Sequence, residues 1–317
     1  MVKRIMRYKE CWGLVIIVML AAVATDGLFI QPDNLTDMLR SIAPVGIMAM
    51  AMTLVILTAG IDLSVGSVLA FSSVATAVLL VGPVSRFPAG VAIPLVLLAV
   101  CLGGGLLGAV HGALISRLRI QPFIITLAGM IGIRGLAKLW SENNRIGLGV
   151  DKATIAYQFA EVFSSKFVMI GLLVLVTIVF FVLFKFTVFG RYVRAVGDNE
   201  KAAVYASLPV ERVKLAVYTL SGMMAGLAGV LLCARTRNGD ANLGVAYELD
   251  AIAMVVIGGT SLAGGRGSVG GTVVGLLIMG ALINVLGLKN VDANIQFILK
   301  AVIIVIAVAF QQSSKKI

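Results

Sequence analysis

Few residues of this chain are of a type that does chemistry, and none is spaced for it. The single histidine, His111, sits in the glycine-rich apolar segment 103–112, which fits a helix-packing role better than metal ligation or proton transfer. Cys11, Cys101 and Cys233 each lie in or beside an apolar run without Cys-x-x-Cys spacing. An odd set of this kind suits neither a disulfide framework nor a zinc site. Gly265-Arg-Gly267-Ser-Val-Gly270 has the letters of a dinucleotide fingerprint. That motif works only after a strand, where a pyrophosphate meets a helix N-terminus. Here it joins two apolar runs and reads as a tight turn with a small-residue packing face. The chain has no Gly-x-x-x-x-Gly-Lys-Ser/Thr loop of its own and no Ser/His/Asp or Cys/His grouping. The sequence therefore predicts no enzyme, no metal and no cofactor held by this chain.

The elements around these residues are membrane helices. Of 317 residues, 60% are hydrophobic and 13% charged, against roughly 45–50% and 25% in soluble domains. The net charge of +11 would suggest nucleic acid in a soluble chain, but the basic residues sit in short clusters between apolar runs. A span needs about 17–25 apolar residues. Candidate spans fall at 12–30, 41–59, 65–83, 88–116, 122–140, 167–186, 213–234, 249–263, 268–287 and 294–310. The expected fold is thus all-α, a single polytopic membrane helix bundle over 1–317 with about ten transmembrane helices and both termini cytoplasmic. That orientation places inside Lys3, Arg4, Arg7, Lys9, Arg117, Arg119, the cluster from Lys185 to Lys214, Arg266, Lys315 and Lys316, as the positive-inside rule asks. Trp12 and Trp140 fall at span ends, where indole rings favour headgroups. Residues 3–24 also look like a signal peptide, but they make a good first span in a chain with nine more to follow. Glycines at four-residue spacing (Gly104, Gly108 and Gly112; Gly222 and Gly226; Gly267, Gly271 and Gly275) predict close helix contacts through small residues.

Two polar segments need an explanation. In Gly60-Ile-Asp62-Leu-Ser64-Val-Gly66 a carboxylate lies between apolar runs, where charge is expensive. Two compatible readings stand: Asp62 or Ser64 caps the next helix, or the segment belongs to a polar permeation or gating element. The second is the loop 190–214, too polar to span. Asp198 or Asn199 can cap a short helix there, Glu200 falls in its first turn, and Pro209 stops it. It is either a linker lying on the headgroups or a docking knob for a cytoplasmic partner. Arg134, inside a span, has three readings: it snorkels, it pairs with a carboxylate such as Asp62, or it recognises an acidic group of a substrate.

AGIDLSVGSVLAF (59–71), PFIITLAGM (122–130), GRYVRAVGDNEKAA (190–203) and ELDAIAMVVIGGTSLAGGRGSVGG (248–271) together resemble the permease subunits of bacterial ABC importers for simple sugars of the ribose, xylose, arabinose and galactose type. The resemblance spans about 40–310 and extends more distantly to branched-chain amino-acid permeases. It implies import by alternating access through the bacterial inner membrane. It implies as partners a second permease copy or paralogue, a cytoplasmic ATPase that binds the ATP and Mg, and a periplasmic or lipid-anchored sugar-binding protein. Carried over, the loop at about 187–212 is the coupling element, with Arg191, Arg194, Gly197, Asn199, Glu200 and Ala202 as contact positions. Gly60, Asp62, Ser64, Thr126, Glu248, Asp250 and Thr260 belong to the translocation path or its mouth. SLPVER at 207–212 departs from the family's Ser-Gly-Ile-like turn. Alternatives are an ABC permease for branched-chain amino acids or nucleosides, and an ion-coupled secondary transporter.

Overall fold

The computed structural model of the protein describes residues 9–313. The orienting charges at Lys3, Arg4, Arg7, Lys315 and Lys316 lie outside the described residues. Among the described residues, thirteen α-helices make up most of the chain. They are α1 (Lys9–Ala24), α2 (Pro32–Leu57), α3 (Val65–Val81), α4 (Ala89–Arg117), α5 (Pro122–Trp140), α6 (Ile155–Phe163), α7 (Lys166–Phe186), α8 (Val188–Asp198), α9 (Glu200–Tyr205), α10 (Val210–Thr236), α11 (Tyr247–Ile257), α12 (Val269–Leu288) and α13 (Ala293–Ser313). Seven of the apolar segments, α2, α3 with its 3-10 extension to Arg86, α4, α5, α7, α10 and α12, are long enough to cross a membrane. Among the described residues, Trp12–Ala24 and Ala293–Ile303 are shorter apolar helices. The polytopic helical bundle read from the sequence is therefore present.

α2 and α10 form the centre. From Ala43 to Leu57 every side chain of α2 is buried, and Tyr218, Ala225, Leu231 and Cys233 of α10 are 0–1% exposed. α3, α4, α7, α11 and α12 pack around them. The glycine spacing does what it predicts. Gly104, Gly108 and Gly112 lie directly on the backbone of α10 at Gly222, Gly226, Tyr218 and Leu215, so α4 and α10 meet main chain to main chain. Gly271 and Gly275 do the same for α12 against Gly258 and Met254. With little hydrophobic drive between helices in lipid, such dispersion-rich seams do much of the association.

The segment expected as a span at 249–263 is different. α11 stops at Ile257, and eleven residues rise only about 16 Å, roughly half of the hydrocarbon. The preceding residues 240–246 are a run of turns that passes antiparallel along α3, with Gly239 against Ser73 and Ala77 and Gly244 against Gly66 and Leu69. A run of turns followed by a half-helix thus carries the chain from the end of α10 toward the start of α12. Continuous hydropathy cannot tell such a broken crossing from an unbroken helix.

Candidate functional site

The polar side chains gather in three places along the bundle. The first is the break between α2 and α3, around Asp62. Asp62 is 1% exposed. One of its carboxylate oxygens accepts the Ser64 N–H at 3.0 Å and the Ser64 hydroxyl at 2.6 Å, and the other accepts the Ser221 hydroxyl at 2.7 Å. Ser64 Oγ also lies 3.2 Å from His111 Nδ1. Thr126 donates to the Ile61 carbonyl at 3.2 Å, and Gly60 abuts the Tyr218 hydroxyl. Ser64 is the N-cap residue of α3 yet makes no side-chain cap bond. Asp62 therefore ties the break to α10 instead of capping α3, and its buried carboxyl group accepts from two hydroxyls and one amide. Gly60, Asp62, Ser64 and Thr126 share this knot, and His111 joins it through Ser64.

The second place is the run of turns before α11. The Asp240, Gly244 and Ala246 carbonyls accept from amides of those turns and of the first turn of α11, and any carbonyl left without a donor in hydrocarbon would cost several kcal/mol (about 2–7). Arg134 of α5 resolves this, donating through Nη1 to the carbonyls of Ala241 and Leu243, both at 2.7 Å. Asp240 completes the turn by accepting from the Asn242 amide at 2.8 Å and from Arg145 at 2.9 Å. Of the three readings of Arg134, pairing with Asp62 is therefore corrected: its guanidinium binds backbone carbonyls. Glu248 follows in the first turn of α11, 8% exposed and set against Gly66, and its Oε2 has no hydrogen-bond partner. Asp250, 7% exposed, pairs with Lys300 of α13 at 2.8 Å. At the same end of the bundle β1 (Ile146–Gly147) pairs antiparallel with β2 (Asn238–Gly239). Arg237 lies over the Tyr157 ring and binds Glu161 at 2.8 Å. Hydrogen bonding to Tyr157 and Glu161 pushes the Arg237 pKa up, and these contacts join α6 to the end of α10.

The third place is the elbow formed by α8 and α9. Thr187 caps α8 through the Gly190 amide, and Asn199, not Asp198, caps α9 through the Ala202 amide at 3.0 Å. Where one short helix was expected, two meet at nearly a single residue. Arg191, Arg194, Asn199, Glu200 and Ala202 are exposed. Gly197 is buried. A Cβ there would collide with the Leu57 carbonyl and come within 2.6 Å of the Gly265 amide nitrogen. Gly265 in turn donates to the Leu57 carbonyl at 3.0 Å. Three main-chain segments, the ends of α2 and α8 and the 258–268 hook holding Thr260, thus join without a side chain between them. Glu200 is tied back to Lys214 of α10 at 2.6 Å. Tyr205 is 88% exposed beside Val204 at 56%. The sequence reading passed over both, although an aromatic on the polar face of a short capped helix was the available signal. Ser207 takes the left-handed turn (φ 57°) that precedes Pro209.

The expected path residues thus fall on three elements: four at the α2–α3 break, Glu248 and Asp250 on the half-helix, and Thr260 in the hook, with Glu248 against Gly66 at the start of α3 and the hook against Ala59 just past α2. Among the described residues no group of three or more His, Cys, Asp or Glu is placed to hold a metal.

A family profile described as branched-chain amino acid transport system / permease component matches residues 34–308. The ribose import permease protein RbsC of Bacillus subtilis (strain 168) is 41% identical over 304 residues, covering 93% of this chain and 89% of that protein. The L-arabinose ABC transporter permease protein AraH of Azospirillum brasilense is 37% identical over 90% of this chain and 81% of its own length. The fructose import permease protein FrcC of Rhizobium meliloti is 36% identical over 96% of this chain and 84% of its own. No solved structure matches.

Proposed function

The chain belongs to the permease family described as branched-chain amino acid transport system / permease component, and from that premise we propose that it is the membrane subunit of an ATP-driven ABC importer carrying a monosaccharide by alternating access. The observation that carries this reading is that permeases for ribose, L-arabinose and fructose each align with more than four-fifths of the chain. Their cargo is a sugar in every case, which favours a monosaccharide over an amino acid or nucleoside. A cytoplasmic ATPase holding ATP and Mg, a sugar-binding protein outside the membrane, and a second permease copy or paralogue are its partners. The membrane is the bacterial inner membrane.

Orientation follows from charge. Arg117, Arg119, Lys185, Arg191, Arg194, Lys201, Arg212 and Lys214 crowd the elbow end, so that end faces the cytoplasm. Seven long apolar helices, the shorter ones at 12–24 and 293–303, and the broken crossing at 239–257 then make ten passes with both termini inside.

In this reading α8 and α9 are the coupling element. Arg191, Arg194, Asn199, Glu200 and Ala202 meet the ATPase, and Gly197 faces inward to pass the push to α2 and the hook. Asp62 and its partners hold the α2–α3 break as one rigid piece. Glu248 and Asp250 on the half-helix, and Thr260 in the hook after it, line the path. Deleting residues 198–203 should abolish sugar uptake while ATPase subunits still hydrolyse ATP and the chain stays in the membrane. Wild-type uptake by that deletion would overturn the assignment.

A further inference from the structure

A cavity of about 430 Å³ opens at the end of the bundle opposite the elbow, between the first half of α2, α11, the second half of α12, and α13. Its size falls within the roughly 300–1,000 Å³ of small-molecule sites, and its make-up is of the same kind, a mostly apolar wall with a few convergent polar groups. The polar groups are Asp37, Ser41, Tyr247, Asp250, Asn284 and Lys300. From this geometry we infer that the permease itself holds a low-affinity binding site for its solute here, selective for an uncharged polyhydroxylated molecule. The inference rests on the import reading above and adds a site and a chemical class to it.

Charge decides the class. Each charged side chain lining the cavity is already compensated: Asp250 by Lys300 at 2.8 Å, and Asp37 by Lys166 at 2.9 Å. Arg235 grips the Ser41 carbonyl at 2.7 Å from α10 and is not among the lining residues. A sugar acid or an amino acid would bring a charge for which no lining partner is left over, and burying an unpaired charge is costly. Hydroxyls have no such difficulty. A carboxylate beside an ammonium offers acceptors and donors side by side, which suits the neighbouring hydroxyls of a sugar. Asn284 is held by a two-way amide pair with Asn34 at 2.9 and 3.0 Å, leaving its second N–H and second lone pair for a ligand. Tyr247 supplies an aromatic side chain on the same wall, of the amphipathic kind suited to a sugar's C–H face.

Cysteine protection tests this on the full-length permease in nanodiscs, with Cys11, Cys101 and Cys233 replaced by serine or alanine. Ser41→Cys and Asn284→Cys place labels in the cavity, and Val150→Cys, at a 90% exposed loop position, serves as control. D-ribose, L-arabinose and D-fructose are each titrated against a polar maleimide. Labelling slows by 1 + [L]/Kd, so roughly fivefold protection at about four times Kd is expected at both cavity positions and none at Val150→Cys. Asp250→Lys with Lys300→Asp keeps an ion pair but exchanges donor and acceptor. It should raise the half-protecting concentration about tenfold, the effect of one charge-assisted hydrogen bond. No protection by any of the sugars overturns the site, as does equal protection by D-gluconate or L-leucine. Uptake in native cells separates the two claims. Sugar import that depends on this chain, without protection, refutes the chamber alone. Loss of no sugar's uptake on deleting the chain refutes the import reading along with it.

Discussion

Gly197→Ala is the sharpest perturbation of the elbow. The added methyl would run into the Leu57 carbonyl oxygen and stand 2.6 Å from the Gly265 nitrogen and 2.9 Å from the Leu57 carbonyl carbon. All three are main-chain atoms, so no side-chain rotation relieves the overlap, and α8 must move off α2 and the hook. Overpacking of a single methyl in a close-packed site costs about 1–3 kcal/mol. Taking about 2 kcal/mol, charged only to the state in which the three segments touch, the balance of two bundle states shifts by about 30-fold. Because the contact joins the coupling element to the membrane helices, the loss should appear in uptake and not in abundance. The assay is sugar uptake in native cells, normalised to the permease in the membrane fraction, beside ATP hydrolysis by the assembled importer. Gly171→Ala, where a Cβ meets nothing within 4 Å, controls for the substitution itself. We expect Gly197→Ala to lose at least 90% of uptake, a tenfold change that about 1.4 kcal/mol would produce. Wild-type uptake at wild-type abundance would refute the view that the contact transmits force.

Arg134→Met should lower thermal stability by about 3 kcal/mol, since it removes two charge-assisted hydrogen bonds and strands two buried carbonyls. Arg134→Lys should recover part of it in a detergent melting experiment. Glu200→Arg breaks a half-exposed pair with Lys214, so stability should change by under about 1 kcal/mol while uptake falls; Glu200→Lys with Lys214→Glu should restore uptake. Tyr205→Ala, at an 88% exposed position, should leave melting within about 0.5 kcal/mol of wild type yet weaken co-purification of the ATPase subunit. Asp62→Ala and Ser221→Ala each remove the same 2.7 Å bond, so the double variant should lose less stability than the two single losses summed, with a coupling of about 1–3 kcal/mol in a double-mutant cycle.

Much of this was legible in the residues alone. Continuous apolar runs fix helices because lipid leaves every backbone polar group to be satisfied within its own segment. The four-residue glycine spacing marks α4, α10 and α12 as seams, because one face of a helix repeats at that interval. Asn199 and Pro209 bracket the short helix α9, because capping and the missing proline N–H act within a few residues. Family membership is carried by four motifs in order. What the sequence could not fix is where distant polar groups meet. Arg134 holds carbonyls 107 and 109 residues away, Asp62 reaches Ser221 across 159, and Lys300 finds Asp250 across 50. Nor could hydropathy reveal that the run at 249–263 holds only a half-helix, ending at Ile257 and entered through a run of turns. Apolar composition reports burial, and both conformations are equally buried here. Local energies set the helices, but the partners of a buried charge depend on how those helices pack, and that is decided only when the bundle closes.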